Sequence, residues 1–377
     1  MRILTSGESH GEAITAIIEG FPKGVTVTET EINKALSLRQ KGYGRGGRMS
    51  LEKDQARIVS GLRNKVSLGS PITVVVKNND QTVFAGKKDL LEPISVPRPA
   101  HADLAAAFKY HEKDMRSILE RASARETVAR VCAGSVCMQF LSLFNIRILS
   151  FVSSLGPVSI KKKPSSSSVI LKRTAGSCLN CPDPEAEKKM IRAIDRAAAA
   201  GDTLGGVAEV WAENVPPGLG SFMHYDQRLD ARIAAALMSI PAVKGVEIGA
   251  GFSYAAQPGS KTHDSIAYSS GKGFSRSGNN AGGIEGGISN GNTVVARLAM
   301  KPIATLINPL PSVNLKTFKK ASAATVRSDV CAVPACSVVA EHMLAIVLTE
   351  AFLDKFGKDC LSDIRKSFKT YQKSLQF

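Results

Sequence analysis

The chain has 377 residues and a formal net charge of +16, because 49 Lys and Arg residues outnumber 33 Asp and Glu residues. Its 44% hydrophobic and 22% charged residues are typical of a globular protein and exclude a disordered or fibrous chain. The excess positive charge indicates an anionic partner, which leaves open nucleic acid, an acidic membrane surface and a phosphorylated small molecule.

Sequence periodicity predicts strands mixed with helices, without the regular alternation of a parallel α/β protein. The predicted strands are Arg2–Thr5, Ala13–Glu19, Ile72–Lys77, Gly206–Ala212 and Thr293–Met300. The predicted helices, with their caps, are Thr30–Arg39, Ser123–Leu143, Asp183–Gly201, Asp230–Met238 and Pro334–Phe356. No clean domain boundary is visible, so we expect a single domain, 1–357, followed by a basic and partly mobile tail, 358–377.

Two motifs near the N-terminus combine glycines with groups that bind anions. The first is Ser6-Gly-Glu-Ser-His10-Gly11, in which a hydroxyl and an imidazole side by side suit phosphate binding and proton transfer. The second, Arg39-Gln-Lys-Gly-Tyr-Gly-Arg45-Gly-Gly-Arg48, places arginines that bind phosphate and carboxylate in a glycine-rich loop. A turn with an exposed histidine and a solvated basic loop are the alternatives. Arg/Gly-rich segments also contact RNA, so a nucleic-acid-binding protein remains a rival interpretation.

Further candidate residues lie in four later segments. In Arg121-Ala-Ser123-Ala-Arg125, a capping serine would place free backbone N–H groups beside two arginines, which favours an anion site. The others are Arg98-Pro-Ala-His101-Ala-Asp103, the glycine-dense segment 280–291 and Arg327-Ser-Asp329. A glycine segment this dense suits close approach of a ligand, although the strand that follows it differs from a dinucleotide-binding site.

The seven cysteines do not form a disulfide pattern, because their number is odd and their spacing irregular. We expect free thiols, as in a cytoplasmic protein. Cys178 and Cys181 form a C-x-x-C that leaves a zinc or redox role open, although we interpret it as two unrelated cysteines in a loop. The apolar helix at 334–356 contains Glu341 and Glu350, so a membrane span is not expected.

The motifs together, in this order, resemble the chorismate synthase family: G-E-S-H-G, R…R-G-G-R, R-P-x-H-A-D, S-A-R-E-T, V-P-P-G-L-G, G-G-I-x-G-G-I-S-N-G, K-P-I and R-S-D-V-C-A-V-P. The resemblance extends from about Arg2 to Leu353. It implies a single α+β domain with helices sandwiched between antiparallel β-sheets, assembled as a homotetramer. It also implies the last step of the shikimate pathway, a 1,4-elimination of phosphate from 5-enolpyruvylshikimate 3-phosphate that gives chorismate. The family uses reduced FMN for this step without net redox change.

The same resemblance transfers the family's functional positions to this chain. The implied catalytic residues are His10, which keeps flavin and substrate in their working protonation states, His101 near the departing phosphate, and Asp329, which assists removal of the ring proton. The implied substrate-binding residues are Ser9, Arg39, Arg45, Arg98, Ser123, Arg125 and Arg327. The implied cofactor-binding residues are Arg39, Arg45, His101, Arg121, Ala122, Ser123, Pro241, Ala242, Gly286, Lys301, Pro302, Ile303, Ala304, Thr305 and Arg327. Arg39 and Arg45 also match positions for NADP, so NADPH is a candidate external source of reductant.

Three departures from the family pattern bear on the site. Many members have glycine where this chain has Ala100, and many have serine where it has Ala122. The segment before G-E-S-H-G is also shorter than usual, which is expected to trim an edge strand or a subunit contact. The resemblance assigns the excess charge to a small phosphorylated substrate and a cofactor, with no metal, nucleic acid or membrane involved.

Overall fold

The computed structural model describes residues 1–45, 53–79, 93–271, 273–325 and 329–375. Its strands are β1 Arg2–Ser6, β2 Ala13–Glu19, β3 Ala56–Ser60, β4 Leu62–Arg63, β5 Val66–Ser67, β6 Ile72–Lys77, β7 Arg147–Leu155, β8 Val158–Ser159, β9 Gly206–Glu213, β10 Val243–Ile248, β11 Ile266–Ser269, β12 Gly273–Arg276, β13 Ile284–Glu285, β14 Ile288–Ser289, β15 Val294–Met300, β16 Pro311–Val313 and β17 Lys320–Ser322. Its α-helices are α1 Glu29–Gln40, α2 Asp103–Tyr110, α3 Met115–Ala122, α4 Thr127–Ser142, α5 Ser167–Thr174, α6 Pro184–Ala199, α7 Leu229–Met238, α8 Gly259–Thr262, α9 Val333–Phe356 and α10 Leu361–Ser374.

The first sheet has the antiparallel order β1-β2-β6-β3. Its inner face is apolar because every second residue of β2 and β6 is hydrophobic, and Ile14, Ile18, Ile72 and Val76 are fully buried. β1 is an edge strand of five residues that pairs with β2 from Arg2 onwards.

The second sheet has the antiparallel order β10-β15-β9-β7-β8. Helix α9 packs on this sheet, α4 packs on the first sheet, and the two helices pack against each other. Their crossing depends on Gly134 in α4, where an added Cβ would lie 2.4 Å from the Cβ of His342 in α9. The predicted sandwich of helices between antiparallel sheets is therefore confirmed.

Helix α9 is long and apolar enough to cross a membrane, but 83% of its most apolar window is buried inside the fold. Helix α10 then packs on this core through the buried Leu361 and Ile364, and the Phe368 ring lies 5.4 Å from that of Phe352. The segment that the sequence set apart as a basic tail thus contains a packed helix, which the sequence analysis did not predict.

Most predicted elements recur with shifts of one or two residues, and two predicted caps are corrected. The first predicted helix begins at Glu29, so Thr28 is its N-cap residue and Thr30 lies inside it. Ser123 caps a short 3-10 turn, Ala124–Glu126, and α4 begins only at Thr127. Asp183 caps α6 as predicted, accepting hydrogen bonds from the backbone N–H groups of Glu185 and Ala186.

Candidate active site

A cavity of about 950 Å³ opens between the first sheet, the N-terminal ends of α4 and α9, and the segment that follows β15. It brings together residues that are far apart in sequence, from Ser9 to Val339. The predicted site residues on its walls are Ser9, His10, Arg39, Arg45, Arg98, His101, Ala122, Ser123, Arg125, Pro241, Ala242, Lys301, Ile303, Ala304, Thr305 and Asp329.

One wall is built from two buried arginines that share a carboxylate. Nη1 of Arg125 lies 2.6 Å from Oδ1 of Asp54, and Nη1 of Arg39 lies 3.5 Å from Oδ2 of the same carboxylate, whose side chain is fully buried. Nε of Arg39 donates to Oγ1 of Thr127 at 3.0 Å, and Nε of Arg125 donates to Oδ1 of Asn78 at 2.9 Å. The guanidinium groups are therefore held in place by the protein before any ligand arrives.

This wall holds positive charge at an energetic cost. Burial lowers the pKa of Arg39 from 12.5 to about 10, and the nearby carboxylate of Asp54 offsets only part of the effect. Within the described ranges, Nη1 of Arg39 and Nε of Arg45 are buried and donate no hydrogen bond. Nη1 of Arg45 lies 3.2 Å from Oδ2 of Asp329, so three guanidinium groups face two carboxylates. An anion entering the cavity would gain both the excess charge and the unused donors.

The turn with His10 is fixed to helix α3. Glu120 accepts hydrogen bonds from the backbone N–H of His10 at 2.8 Å and from Nδ1 of its ring at 2.9 Å. The carbonyl of Glu120 accepts the backbone N–H of Ser9 at 3.0 Å. Oγ of Ser9 lies 3.1 Å from Oγ of Ser123, so two hydroxyl groups and one imidazole line the same corner of the cavity.

The second histidine lies in a separate polar cluster. Nδ1 of His101 is 2.5 Å from Oδ1 of Asp103, and the guanidinium of Arg98 binds both oxygens of that carboxylate. Burial raises the pKa of Asp103, but hydrogen bonds from His101 and Arg98 outweigh it and hold the pKa well below its usual range. Nη1 of Arg98 donates to Oγ1 of Thr305 at 2.8 Å, which ties the cluster to the segment after β15.

Ala100 adopts the left-handed conformation with φ of 61°, which is the reason glycine suits this position. Its carbonyl oxygen accepts a hydrogen bond from Nζ of Lys301. Burial, together with the charge of Lys244, lowers the pKa of Lys301. Ala100 therefore adopts the same turn as a glycine would, but with more backbone strain. The turn links the cluster around His101 to Lys301.

Three predicted site residues do not line the cavity. The exposed side chain of Arg121 donates to the carbonyl oxygens of Thr5 and Gly7 and so supports the His10 turn from outside. Gly286 lies in the turn between β13 and β14, where an added Cβ would meet nothing within 4 Å. Pro302 is also absent from the cavity walls. Arg48 and Arg327 lie outside the described residues.

The sequence analysis did not identify the side chains that hydrogen-bond to the predicted site residues. Asp54, Asn78 and Glu120 carry no motif, and Asp103 was quoted only as part of one. Asp54 is 71 positions from Arg125 and Glu120 is 110 positions from His10. The one local signal was an acidic residue, Glu120, immediately before Arg121. The sequence does not show that this residue lies beside the His10 turn in the folded protein.

The C-x-x-C pair lies outside the cavity. The Cys181 side chain is buried, and its thiol donates to the carbonyl oxygen of Asp183 at 3.4 Å. Burial raises the pKa of Cys181 to about 11 and also raises the pKa of Cys178. Both thiols are therefore protonated near neutral pH, which disfavours a redox role. Across the described ranges, no group of three or more His, Cys, Asp or Glu side chains is arranged to hold a metal ion.

The fold and the cavity define a protein with a small-molecule site whose walls combine buried arginines with two histidines. A family model described as chorismate synthase matches residues 1–353. The chain is 50% identical to the chorismate synthase of Moorella thermoacetica, covering 100% of this chain and 99% of the relative. It is 48% identical to the chorismate synthase of Bacillus subtilis, covering 99% of each chain.

A solved structure titled "Crystal Structure of Chorismate Synthase" superposes with a TM-score of 0.82 at 43% identity, covering 100% of this chain and 98% of the other. The chain belongs to the chorismate synthase family. It is a lyase of the shikimate pathway that eliminates phosphate from 5-enolpyruvylshikimate 3-phosphate to form chorismate, a step of aromatic amino-acid biosynthesis. The identification made from the ordered motifs is confirmed.

Proposed function

We propose that the cavity binds reduced FMN together with the phosphorylated substrate, and that its walls carry out the 1,4-elimination. The observation that supports this most directly is the convergence of Arg39, Arg45 and Arg125 with two histidines in one cavity of about 950 Å³. Small-molecule pockets reach about 1,000 Å³, so this volume suits a cofactor and a substrate side by side.

The substrate of the family carries one phosphate and two carboxylates. Arg39, Arg45 and Arg125, with Ser9 and Ser123, bind these groups, and Arg98 and Arg327 complete the proposed set. Nε of Arg45 is buried and donates no hydrogen bond within the described residues, which supports this assignment, because a buried donor without an acceptor is costly. Guanidinium groups fixed in advance stabilise the negative charge that develops as the phosphate departs.

Another group of residues that line the cavity fits a flavin mononucleotide. Ala122, Pro241, Ala242, Ile303 and Ala304 supply small apolar surfaces that suit a planar ring, and Lys301 supplies a cation for its phosphate. The lowered pKa of Lys301 means that its charge is disfavoured by burial, and an anionic partner would offset this. Reduced FMN, when bound, supplies an electron-rich ring and a proton acceptor beside the substrate. Arg121, Gly286 and Pro302 are proposed as outer contacts.

Three residues handle the protons of the elimination. The substrate ring loses a proton, the C–O bond to phosphate breaks with its electron pair, and a new double bond forms. His101 faces the departing phosphate and donates to it, held at Nδ1 by the carboxylate of Asp103, which Arg98 also binds. Asp329 assists removal of the ring proton, and Nη1 of Arg45, 3.2 Å from its Oδ2, orients this carboxylate. His10 keeps substrate and cofactor in the required protonation states.

Single alanine variants test these roles. His10→Ala, His101→Ala and Asp329→Ala should each lower kcat by about 10²–10⁴-fold in protein that circular dichroism shows to be folded. His224→Ala is the matched control, since this histidine pairs with Asp226 on the surface and does not line the cavity. Wild-type kinetics in all three site variants would refute the assignments.

Flavin binding gives a test that does not depend on turnover. Oxidised FMN loses fluorescence or changes absorbance when it enters a protein site, so a titration measures Kd directly. Lys301→Ala should weaken binding, whereas Lys316→Ala, which does not line the cavity, should not. Equal affinity in both variants would remove Lys301 from the cofactor site.

We also propose a cytoplasmic homotetramer whose subunits each form one catalytic domain, and helix α10 beyond residue 357 packs on the same core. The single large core, which draws residues from Ile14 to Ile364, supports one domain. Large apolar side chains on the surface, namely Phe222, Met223, Phe252, Phe274 and Phe318, are more than half exposed and favour association. Light scattering tests the tetramer. An anaerobic assay with oxidised FMN, with and without NADPH, tests whether the chain reduces its own flavin.

A further inference from the structure

Both carboxylate oxygens of Glu120 contact His10, whereas an ion pair between the two side chains would require only one contact. Its two carboxylate oxygens accept two different N–H groups of the same residue, the backbone N–H at 2.8 Å and ring Nδ1 at 2.9 Å. The residue is 8% exposed and lines the cavity beside the histidine. The same side chain therefore fixes both the position of the turn and the orientation of the ring.

This geometry selects one tautomer of the histidine. A carboxylate accepts but does not donate, so the ring nitrogen that faces it must carry the proton. With Nδ1–H directed at Glu120, the neutral ring keeps its lone pair on Nε2, and His10 lines the cavity. An imidazole in this state accepts a proton at Nε2 and returns it from the same atom.

We propose that Glu120 is a positioning residue for the elimination, acting through His10 by fixing its Nδ1–H tautomer and presenting Nε2 to the ligands. This inference rests on the proposed role of His10. Helix α3 supplies the frame, because the carbonyl of Glu120 also binds the N–H of Ser9 at 3.0 Å. The serine, the histidine and helix α3 therefore form one unit.

Glutamine cannot replace this carboxylate, and the reason is geometric. Glu120→Gln keeps the shape but has only one acceptor atom, and its NH₂ group must then face one of the two N–H groups of His10. If the amide oxygen keeps the backbone N–H, the NH₂ group faces Nδ1, and the ring must move its proton to Nε2. The variant thus loses a hydrogen bond or switches the tautomer.

The first test measures the tautomer and needs no activity. The ring nitrogens of the six histidines are observed by long-range ¹⁵N–¹H NMR at alkaline pH, and His10→Ala assigns the signal. The wild-type protein should show the Nδ1–H form of His10, and an Nε2–H form would overturn the proposal even if the glutamine variant does not fold. Glu120→Gln should lose the Nδ1–H signal, whereas an unchanged signal in a folded variant would contradict it.

The second test measures coupling. Glu120→Gln should lower kcat by about 10–100-fold, the range for loss of one charge-assisted hydrogen bond, with little change in KM. In a His10→Ala background the same change should have no further effect. An equal loss in both backgrounds would refute action through His10. A wild-type kcat in His10→Ala would instead refute the proposed role of His10, so the two failures are distinguishable.

Glu126→Gln is the matched control. Its carboxylate is similarly buried, with 12% of the side chain exposed, but it pairs with Arg130 at 2.9 Å and does not line the cavity. It should leave the tautomer of His10 and kcat unchanged. An equal fall of kcat in the control would mean that general loss of negative charge, and not the position of the ring, explains the effect.

Discussion

Asp54→Asn is the change that most directly perturbs the arginine wall. The Asp54 side chain is fully buried and lies 2.6 Å from Nη1 of Arg125 and 3.5 Å from Nη1 of Arg39. Asparagine has almost the same volume, so packing is preserved and only the charge and one acceptor are lost. The two guanidinium groups then share a buried site without this counter-charge.

The expected loss of stability follows from the arginine charges that remain buried in the variant. Removing one partner of a buried ion pair costs about 3–5 kcal/mol, because the other charge stays buried without compensation. Here two cations lose the same carboxylate, and the charge of Arg39 already opposes folding at neutral pH, as its pKa of about 10 shows. We therefore expect the free energy of unfolding to fall by at least about 3 kcal/mol.

The assay is urea unfolding at pH 7 with and without inorganic phosphate. Phosphate can reach the two arginines from the cavity that they line, so it should stabilise Asp54→Asn more than the wild type and close part of the gap. Glu31→Gln removes an exposed ion pair with Lys34 and should cost less than about 0.5 kcal/mol. A loss below 1 kcal/mol in Asp54→Asn, or the same phosphate effect in both proteins, would refute the reasoning.

Three further substitutions test local features of the fold. Gly134→Ala should lower the free energy of unfolding in urea by about 1–3 kcal/mol, because the new Cβ would lie 2.4 Å from that of His342. Helix propensity alone predicts a higher free energy of unfolding, and that result would contradict this packing. Ala100→Gly should stabilise by about 0.5–1 kcal/mol through relief of the positive φ, and a loss measured in the same assay would argue against a left-handed turn. Burial raises the pKa of Glu341 from 4.5 to about 7, so the folded protein keeps a proton that the unfolded chain releases, and stability falls as pH rises through this window. Between pH 4.5 and 7 the free energy of unfolding of Glu341→Gln should fall by about 1–3 kcal/mol less than that of the wild type. The same dependence on pH in both proteins would show that the carboxyl is solvated.

The sequence predicts the fold wherever one element contains its own signal. β2 and β6 are predicted to the residue, because alternating apolar side chains or a β-branched run bounded by turn residues identify a strand locally. Helix α6 is predicted from Asp183 and Pro184, which cap and open it. Helices α2 and α3 were missed, since each has only eight residues and α2 carries an exposed apolar surface.

The site is predicted in part for the same reason. Arginines, glycines and histidines in short motifs point to an anion site, and the cavity gathers most of them. The acidic partners are different, because Asp54 and Glu120 contact Arg125 and His10 only when segments 71 and 110 residues apart are packed together. No local pattern encodes such a contact. The choice of Thr30 over Thr28 as a cap shows the same limit on a smaller scale, since both threonines precede a glutamate.

The central claim is that this cavity performs the elimination with reduced FMN. The most direct test is an anaerobic assay of the purified wild-type protein with 5-enolpyruvylshikimate 3-phosphate and chemically reduced FMN, following chorismate and phosphate together. The account predicts chorismate and phosphate in equal amounts, with no net consumption of reduced flavin and no product when reduced flavin is omitted. Folded protein that gives no chorismate, or gives it equally well without reduced flavin, would contradict it.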